Sequence, residues 1–369
     1  LTYNHSLLFA NVFRQNYLEV KHLKMTTLVE RLGVRFEHLQ LQPLDKKNSE
    51  SLINNIFDIK GLPYQVKNSI NDRTGGNPFF LEEVARYFIN SGAVVQTRRG
   101  FEVTDKIYNI EIPPTIHDLL TARIDRLEEQ TRHLVKVASV VGQSFFDRII
   151  KDVANDIENV DERLEYLQDV QLIRQRQHMG ELEYIFKHTL VQEAAYASTL
   201  LEQRKAIHLK VAKSIDNIFK GRLQEFYGML AFHYSKGEEF EKAEEYMIKA
   251  GEEALKTSAS SEALHYYKDV IKLYTERFGD AINLKKMSFL EENLAFAFYY
   301  RGEQAEAMRY FNTTLSRLGI RVSKNNFFMF LELVCNLLKV VLYLYLPLKK
   351  GKKIPTDKET RIINIILAK

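Results

Sequence analysis

The sequence predicts a mainly α-helical chain. Glycine (16) and proline (7) are scarce in 369 residues, which disfavours a many-stranded sandwich with its frequent turns. Apolar residues recur at helical spacing through most of the chain. Two stretches in the C-terminal half repeat the same order of small and aromatic residues, the mark of stacked helical pairs. At about 150 residues per domain, the length divides into two or three domains.

Composition excludes several classes. Hydrophobic residues are 45% and charged residues 27%, ordinary for a folded chain and wrong for a disordered acidic tail, a collagen-like fibre or a disulfide scaffold. The net charge of +4 is too small, for this length, to point to nucleic acid by itself. The single cysteine, Cys335, forbids an internal disulfide and any thiolate metal cage. It sits in an apolar run and is expected to be buried. No signal peptide is visible, and a cytoplasmic location is expected. The chain opens Leu1-Thr2-Tyr3-Asn4-His5 and ends Ile365-Ile366-Leu367-Ala368-Lys369 within a helix-like pattern. Both ends read as cut from a longer chain.

The elements follow in order. Leu7–Phe13 is a short apolar run ending at Arg14, suited to a buried strand of a parallel sheet. Pro43 keeps the residue before it extended, and Asp45 caps a helix carrying Leu52, Ile53, Ile56 and Phe57. Tyr64–Arg73 is a short helix. Gly75-Gly76-Asn77-Pro78 breaks the chain, and Phe79–Ser91 is helical up to Gly92. Gln96–Ile112 reads as a polar, extended linker with a hairpin turn at Arg98-Arg99-Gly100. Pro113-Pro114 closes it, and Ile116, Leu119, Leu120, Ile124 and Leu127 form one apolar stripe.

Helices are expected over Leu134–Val141, Phe145–Val153 and Val160–Val170. Leu172–Arg176 and Leu182–Phe186 then alternate around Met179-Gly180, a hairpin signal. Three helices followed by a two-stranded wing have the pattern of a winged helix. Two longer helices follow, at about 190–201 and 204–219. Beyond Gln224, Leu230-Ala231, Tyr234, Gly237, Ala243, Tyr246 and Ala250 make one unit. Leu294-Ala295, Tyr299, Gly302, Ala305, Ala307 and Phe311 make a second. Alanine lets two helices approach and an aromatic ring fills the neighbouring gap, which is the physical content of a tetratricopeptide-like repeat.

Phe327–Leu348 is apolar and long enough to span a bilayer, and Lys349, Lys350, Lys352 and Lys353 follow it. Glu332, Asn336 and Lys339 share one helical face, however. The reading adopted is a helix packed among others, with an interfacial helix or a membrane span as alternatives.

Thr74-Gly75-Gly76-Asn77-Pro78-Phe79-Phe80-Leu81-Glu82-Glu83 is the most informative stretch. Physically it is a turn leading straight into a helix: Asn77 can cap the helix and Pro78 suits its first position. From the residues alone it is equally a plain tight turn. The stretch resembles the GNPFF element of the signal-transduction ATPases with numerous domains, the STAND branch of the P-loop ATPases. It is most similar to bacterial members found beside class III adenylate/guanylate cyclase domains, protein kinase domains or LuxR-type regulators. Ile112–Leu120 with Ala122–Leu127 resembles that family's linker helix. Val137–Phe145 resembles its winged-helix opening, Tyr184–Tyr196 its wing exit, and Leu230–Ala254 its first repeat.

The resemblance implies a fold in three parts. Residues 1–95 would be the C-terminal part of an α/β P-loop ATPase domain, its last strand plus helical lid. Residues 96–202 would be the linker and winged-helix domain, and 203–369 a TPR-like α-solenoid. It also implies nucleotide-contact roles by position. Arg14 matches the sensor arginine near the γ-phosphate. Pro78, in the turn shaped by Gly76 and Asn77, matches the lid proline that packs on the adenine. His188 matches the histidine that reaches the β-phosphate in the resting state. The related pattern is Met-His-Asp, and here it is Lys187-His188-Thr189. Read from the residues alone, Arg14 is a surface arginine at a strand end, Pro78 a helix-start proline and His188 a structural histidine.

No GxxxxGK(S/T) run occurs, so no Walker A loop cradles phosphates, and no strand ends in paired acidic residues for Mg²⁺. The resemblance places these upstream. ATP/ADP with Mg²⁺ are therefore expected for the full-length protein, and these residues alone should neither hydrolyse nor tightly hold nucleotide. No catalytic residue and no metal ligand is assigned: His5, His22, His38 and His117 lack ligand spacing. Asp161, Glu162, Glu165 and Asp169 put acid on the third helix, which repels phosphate and argues against DNA. The implied function is an ATP/ADP-dependent switch in which the repeats bind a protein partner. The lid and clamp would make intramolecular contact with upstream ATPase and effector domains, the effector favoured being a cyclase. The alternatives are a non-enzymatic repeat scaffold with a vestigial nucleotide domain, and a LuxR-like transcription activator.

Overall fold

The protein is described from a computed structural model, which covers residues 37, 39–57, 62–98, 100–178 and 180–317, with 334, 335 and 338. Leu7–Phe13 and Arg14 lie outside the described residues, as does nearly all of 327–348. The chain is mostly helical and divides into two compact units, Leu1–Ile116 and His117–Lys369.

In the first unit, α1 (Lys46–Phe57), α2 (Tyr64–Thr74) and α3 (Pro78–Asn90) precede a hairpin of β1 (Val94–Thr97) and β2 (Gly100–Val103). Asp45 caps α1 as expected, its Oδ1 accepting from the Asn48 amide at 2.7 Å. The apolar face of α3 buries Phe80, Leu81, Val84, Ala85 and Phe88. Val94 pairs with Val103 and Thr97 with Gly100. Thr104 Oγ1 donates to the Gly92 carbonyl at 2.8 Å and fastens the hairpin to the end of α3. The hairpin turn expected at Arg98-Arg99-Gly100 is present, while the rest of the stretch, expected as extended linker, contains a short turn of 3₁₀ helix with Ile107 and Ile112 buried.

The second unit opens with α4 (Ile116–Asp125), α5 (Glu129–Val141), β3 (Ser144–Phe146), α6 (Asp147–Val153) and α7 (Val160–Asp169). The strands β4 (Ile173–His178) and β5 (Glu181–Phe186) and the helix α8 (Thr189–Ala197) complete a module of helices and one small sheet. The sheet is antiparallel in the order β3-β5-β4. Phe145, read from sequence as helical, is in β3. Consecutive strand side chains face opposite ways. Phe145 accordingly stacks on Tyr184 at 5.7 Å, while Phe146 meets Phe219 and Phe226 edge-on. A helix would have set the two rings only about 100° apart around its axis.

The rest of the unit is a row of helices: α9 (Leu201–Ile218), α10 (Tyr227–Lys236), α11 (Phe240–Lys256), α12 (Ser260–Phe278), α13 (Leu284–Tyr300) and α14 (Gln304–Arg317). Each packs on the next in sequence. Three of the corners share one geometry. Glu239, Ala259 and Glu303 donate their amides to the carbonyls of Tyr234, Ala254 and Phe298, five residues back, at 3.0, 2.8 and 3.0 Å. The residue before each donor, Glu238, Ser258 or Gly302, has left-handed φ, completing a Schellman turn. Four residues after each donor a buried alanine begins the next contact: Ala243, Ala263 and Ala307.

An aromatic pair repeats with this geometry. Tyr234 stacks on Tyr246 at 5.6 Å, and 64 residues on Phe298 stacks on Tyr310 at 5.6 Å. This register matches Tyr234 with Phe298, one place from the Tyr299 that spacing alone pairs with it. Gly237 is likewise not the partner of Gly302. It is small because a Cβ there would meet Leu209 and lie 3.2 Å from the His233 carbonyl oxygen. Gly251 serves close approach too, since a Cβ would come within 2.8 Å of the Tyr267 ring.

Cys335 is exposed, contrary to expectation. In sequence Cys335 stands beside Asn336 and three residues after Glu332, on the polar side of the run, and Leu338 is exposed as well. Among the described residues no helix is long and apolar enough to cross a membrane.

One polar anchor fixes the start of the row. Asp216 on α9 accepts from the Tyr234 hydroxyl on α10 and the Tyr246 hydroxyl on α11, both at 2.5 Å. Burial and the Asp216 carboxylate push both phenols above their ordinary range, so both remain donors. Hydrogen bonds to a charged acceptor contribute about 1.5–3 kcal/mol each. Asp216→Ala should lower the unfolding free energy in urea by about 3 kcal/mol. A loss below about 1 kcal/mol would show that the two bonds do not hold the corner.

Candidate functional site

The turn between α2 and α3 is built by four consecutive residues. Gly75 ends α2 with φ of 54° and returns its amide to the Asn71 carbonyl at 3.0 Å. Gly76, with φ of 72°, is buried against the chain before α1. Its carbonyl accepts from the Leu44 amide at 2.9 Å, and a Cβ there would overlap the Leu44 carbonyl oxygen. Asn77 then caps α3, its Oδ1 accepting from the amides of Phe79 at 3.0 Å and Phe80 at 3.3 Å. Pro78 takes the first helical position, where its missing N–H costs nothing.

This geometry fixes what the turn can do. The amides of Phe79 and Phe80 point at Asn77, so the start of α3 is not an open phosphate cradle. Asn77 and Pro78 are exposed while Gly76 and Phe80 are buried. The turn therefore presents a rigid proline ring outward on a helix anchored by Phe80 and Leu81. Such a ring suits contact with a flat apolar surface and offers no charge to phosphate or metal.

His188 stands where β5 passes into α8. Its backbone is extended (φ −134°, ψ 135°) and its carbonyl accepts from the Val191 amide at 3.1 Å. The ring is half-buried and makes no cap hydrogen bond to the helix. Neighbouring bonds hold the junction: Lys187 N–H donates to the Leu172 carbonyl at 3.0 Å, and Phe186 N–H to that of Gln143 at 2.9 Å. Gln192, one turn into α8, donates from Nε2 to the Ser139 carbonyl on α5 at 2.6 Å. Gly76, Asn77 and Pro78 thus form one turn of the first unit, His188 belongs to the second, and Arg14 lies outside the described residues.

The acidic residues of α7, Asp161, Glu162, Glu165 and Asp169, are all exposed. On the hairpin, Arg176 is paired with Glu183 at 2.5 Å. The helix face that would meet phosphates carries carboxylates, which repel them. Among the described residues no group of three or more His, Cys, Asp or Glu is placed to hold a metal.

A second group escaped sequence reading. His208 on α9 and His233 on α10 are 1% exposed and touch through their Nδ1 atoms at 2.8 Å. His208 Nε2 lies 3.1 Å from the Tyr196 hydroxyl on α8, and His233 also bonds the backbone of Val141 at the end of α5. Burial, then the charges of Lys236 and Arg204, lowers His208 to about 4. Burial, then His208, lowers His233 to about 3, against the opposing Val141 bond. The signal was present in the sequence. His208 shares a helical stripe with Val211, Ala212 and Ile215, and His233 shares one with Leu230, Tyr234 and Gly237.

No family model matches the chain. An uncharacterized protein of Rhizobium meliloti (strain 1021) is 23% identical over 202 residues, 54% of this chain and 19% of that protein. Among solved structures, a STAND protein with a tetratricopeptide repeat sensor from Pyrococcus horikoshii is similar at a TM-score of 0.38 and 14% identity. That match covers 77% of this chain and 43% of that one. The chain thus spans less than half the length of either protein.

Substitutions in the turn separate its parts. Gly76→Ala should destabilise the first unit by more than about 2 kcal/mol, through left-handed strain plus overlap with Leu44. Gly75→Ala meets no atom within 4 Å and should cost only about 1 kcal/mol. Asn77→Ala should cost about 1 kcal/mol as a lost cap. Equal losses for Gly76→Ala and Gly75→Ala in urea unfolding would remove the Leu44 contact from the account.

Proposed function

We propose that this chain is the lid, clamp and sensor portion of a STAND-type ATPase that works as an ATP/ADP-dependent switch in the cytoplasm. What supports the reading most is the order of three devices in one chain. A self-capped turn presents Pro78, a strand-to-helix junction presents His188, and a row of helical hairpins follows. In this reading the first unit carries the helical lid, the module from α4 to α8 is a winged helix, and the hairpins are TPR-like repeats.

The residues present suit part of a nucleotide. The outward Pro78 ring suits an adenine face, and a half-buried imidazole at a helix start suits a phosphate oxygen. They do not suit Mg²⁺ and a triphosphate, because the sequence has no phosphate loop and Asn77 occupies the amides of α3. Those parts, and an attached effector such as an adenylate or guanylate cyclase, belong in this reading to the upstream chain. Arg14 would read the γ-phosphate as a guanidinium. The carboxylates on α7 favour a clamp that works within the protein over one that binds DNA. A protein partner on the repeats would bias the switch by binding its two states unequally.

The test uses the parent protein with its upstream domain. His188→Ala should speed ADP dissociation at least about tenfold, the loss of one charge-assisted hydrogen bond. An unchanged off-rate would remove His188 from the site. Failure of the parent protein to bind nucleotide at all would favour the scaffold.

A further inference from the structure

The four groups Tyr196, His208, His233 and Val141 come from α8, α9, α10 and the end of α5, and all lie within the second unit. Their protons have one arrangement that satisfies every atom. Two facing Nδ1 atoms at 2.8 Å need a single proton between them. The Val141 carbonyl can only accept, so His233 Nε2 carries a hydrogen and His233 Nδ1 is bare. His208 Nδ1–H must then donate to it, which leaves His208 Nε2 to accept from the Tyr196 hydroxyl. The chain runs one way: Tyr196 to His208 to His233 to the Val141 carbonyl.

Acid disrupts this arrangement. A first proton on His208 Nε2 forces the Tyr196 hydroxyl to turn and accept. A second, on His233 Nδ1, sets N–H against N–H across the contact. The charges acting on His208 are Arg204 on α9 and Lys236 on α10, both cationic. Tyr196 on α8 is neutral, and Val141 offers only a carbonyl. Arg204 lies 4.8 Å from the Tyr196 ring, and Lys236 lies 5.8 Å from the ring of Phe232, whose ring in turn meets His208 edge-on. Protons have a route, because His233 and Val141 line a cleft of about 570 Å³ together with Gln143, Phe232 and Tyr266.

We propose that the Tyr196–His208–His233–Val141 chain is a proton-operated latch that holds α8, α9 and α10 together at neutral pH and lets go in acid. Nothing in it depends on nucleotide. Both rings are harder to protonate in the closed form than in water, so the open form binds more protons as pH falls below about 6.5. Closure is therefore fully favoured above that pH and weakens below it. Because α8 begins next to His188, release would be felt at that residue.

Hydrogen exchange of the full chain, corrected for intrinsic rates, tests the latch at pH 7.5 and pH 5.5. Protection of α8 and α10 should fall about tenfold for each ring, or about a hundredfold together. Protection of α13 should not change. An unchanged α8 and α10 would overturn the proposal, as would an equal loss in α13, which marks general acid unfolding. His208→Asn keeps an N–H donor toward His233 and removes one titration. Its response should shrink to about tenfold, and an undiminished hundredfold response would also overturn the latch. Should that variant not fold, the comparison of α10 with α13 in the unaltered chain decides the matter alone.

Discussion

One helix carries a buried histidine and a half-buried aspartate that neighbouring helices must pair, and the second unit is arranged around satisfying them. Helix α9 packs on α5 and α6 of the sheet-bearing module and on α10 of the hairpin row. His208 and Asp216 lie on its buried side, and each requires partners from other helices. A buried polar group without a partner costs about 1–3 kcal/mol. Placing α10 anywhere else would part His233 from His208 and Tyr234 from Asp216, and moving α11 would part Tyr246 from Asp216. Apolar packing alone tolerates a shift of one helix along another, whereas a short Nδ1 contact and a bidentate carboxylate do not. These bonds set the angle at which the row leaves the module.

Beyond that joint, the row repeats a local rule. Three corners use the same left-handed residue and the same five-residue return bond, although only one has glycine at the left-handed place. Glu238 and Ser258 adopt a left-handed backbone that a side chain disfavours, and each is followed by a buried alanine contact. The stacked aromatic pair recurs with the corner, and in the second instance Phe298 replaces a tyrosine. Tyr310 keeps the place of Tyr246 in that second pair.

Much of this was legible in the residues. The caps at Asp45 and Asn77, the hairpin around Gly180 and the alanine-aromatic units follow from local chemistry that needs no tertiary context. Other features were not legible, for reasons that are physical. Ser144–Phe146 is too short and too apolar to separate strand from helix by period, and only pairing with β5 decides it. The leucine and alanine positions of the two units are in register at 64 residues, but the aromatic and glycine positions are one residue off, because the left-handed place is Glu238 in one corner and Gly302 in the other. The histidine pair was readable as two polar members of apolar stripes, but spacing within one helix cannot show which stripes meet. Among the candidate nucleotide contacts, the Asn77 cap and the Pro78 helix start were legible because both are local backbone chemistry. What any of them touches in a nucleotide-bound protein is a matter of resemblance.

The proposed switch requires that the parent protein change conformation with the nucleotide it holds. The direct measurement is a spin-label distance in the parent protein, between Asp72→Cys on α2 and Glu193→Cys on α8, in a Cys335→Ser background. Both positions are exposed in this chain. A distribution with ADP that differs from the one with a non-hydrolysable ATP analogue is the expected result. The same distribution with either nucleotide would contradict the switch.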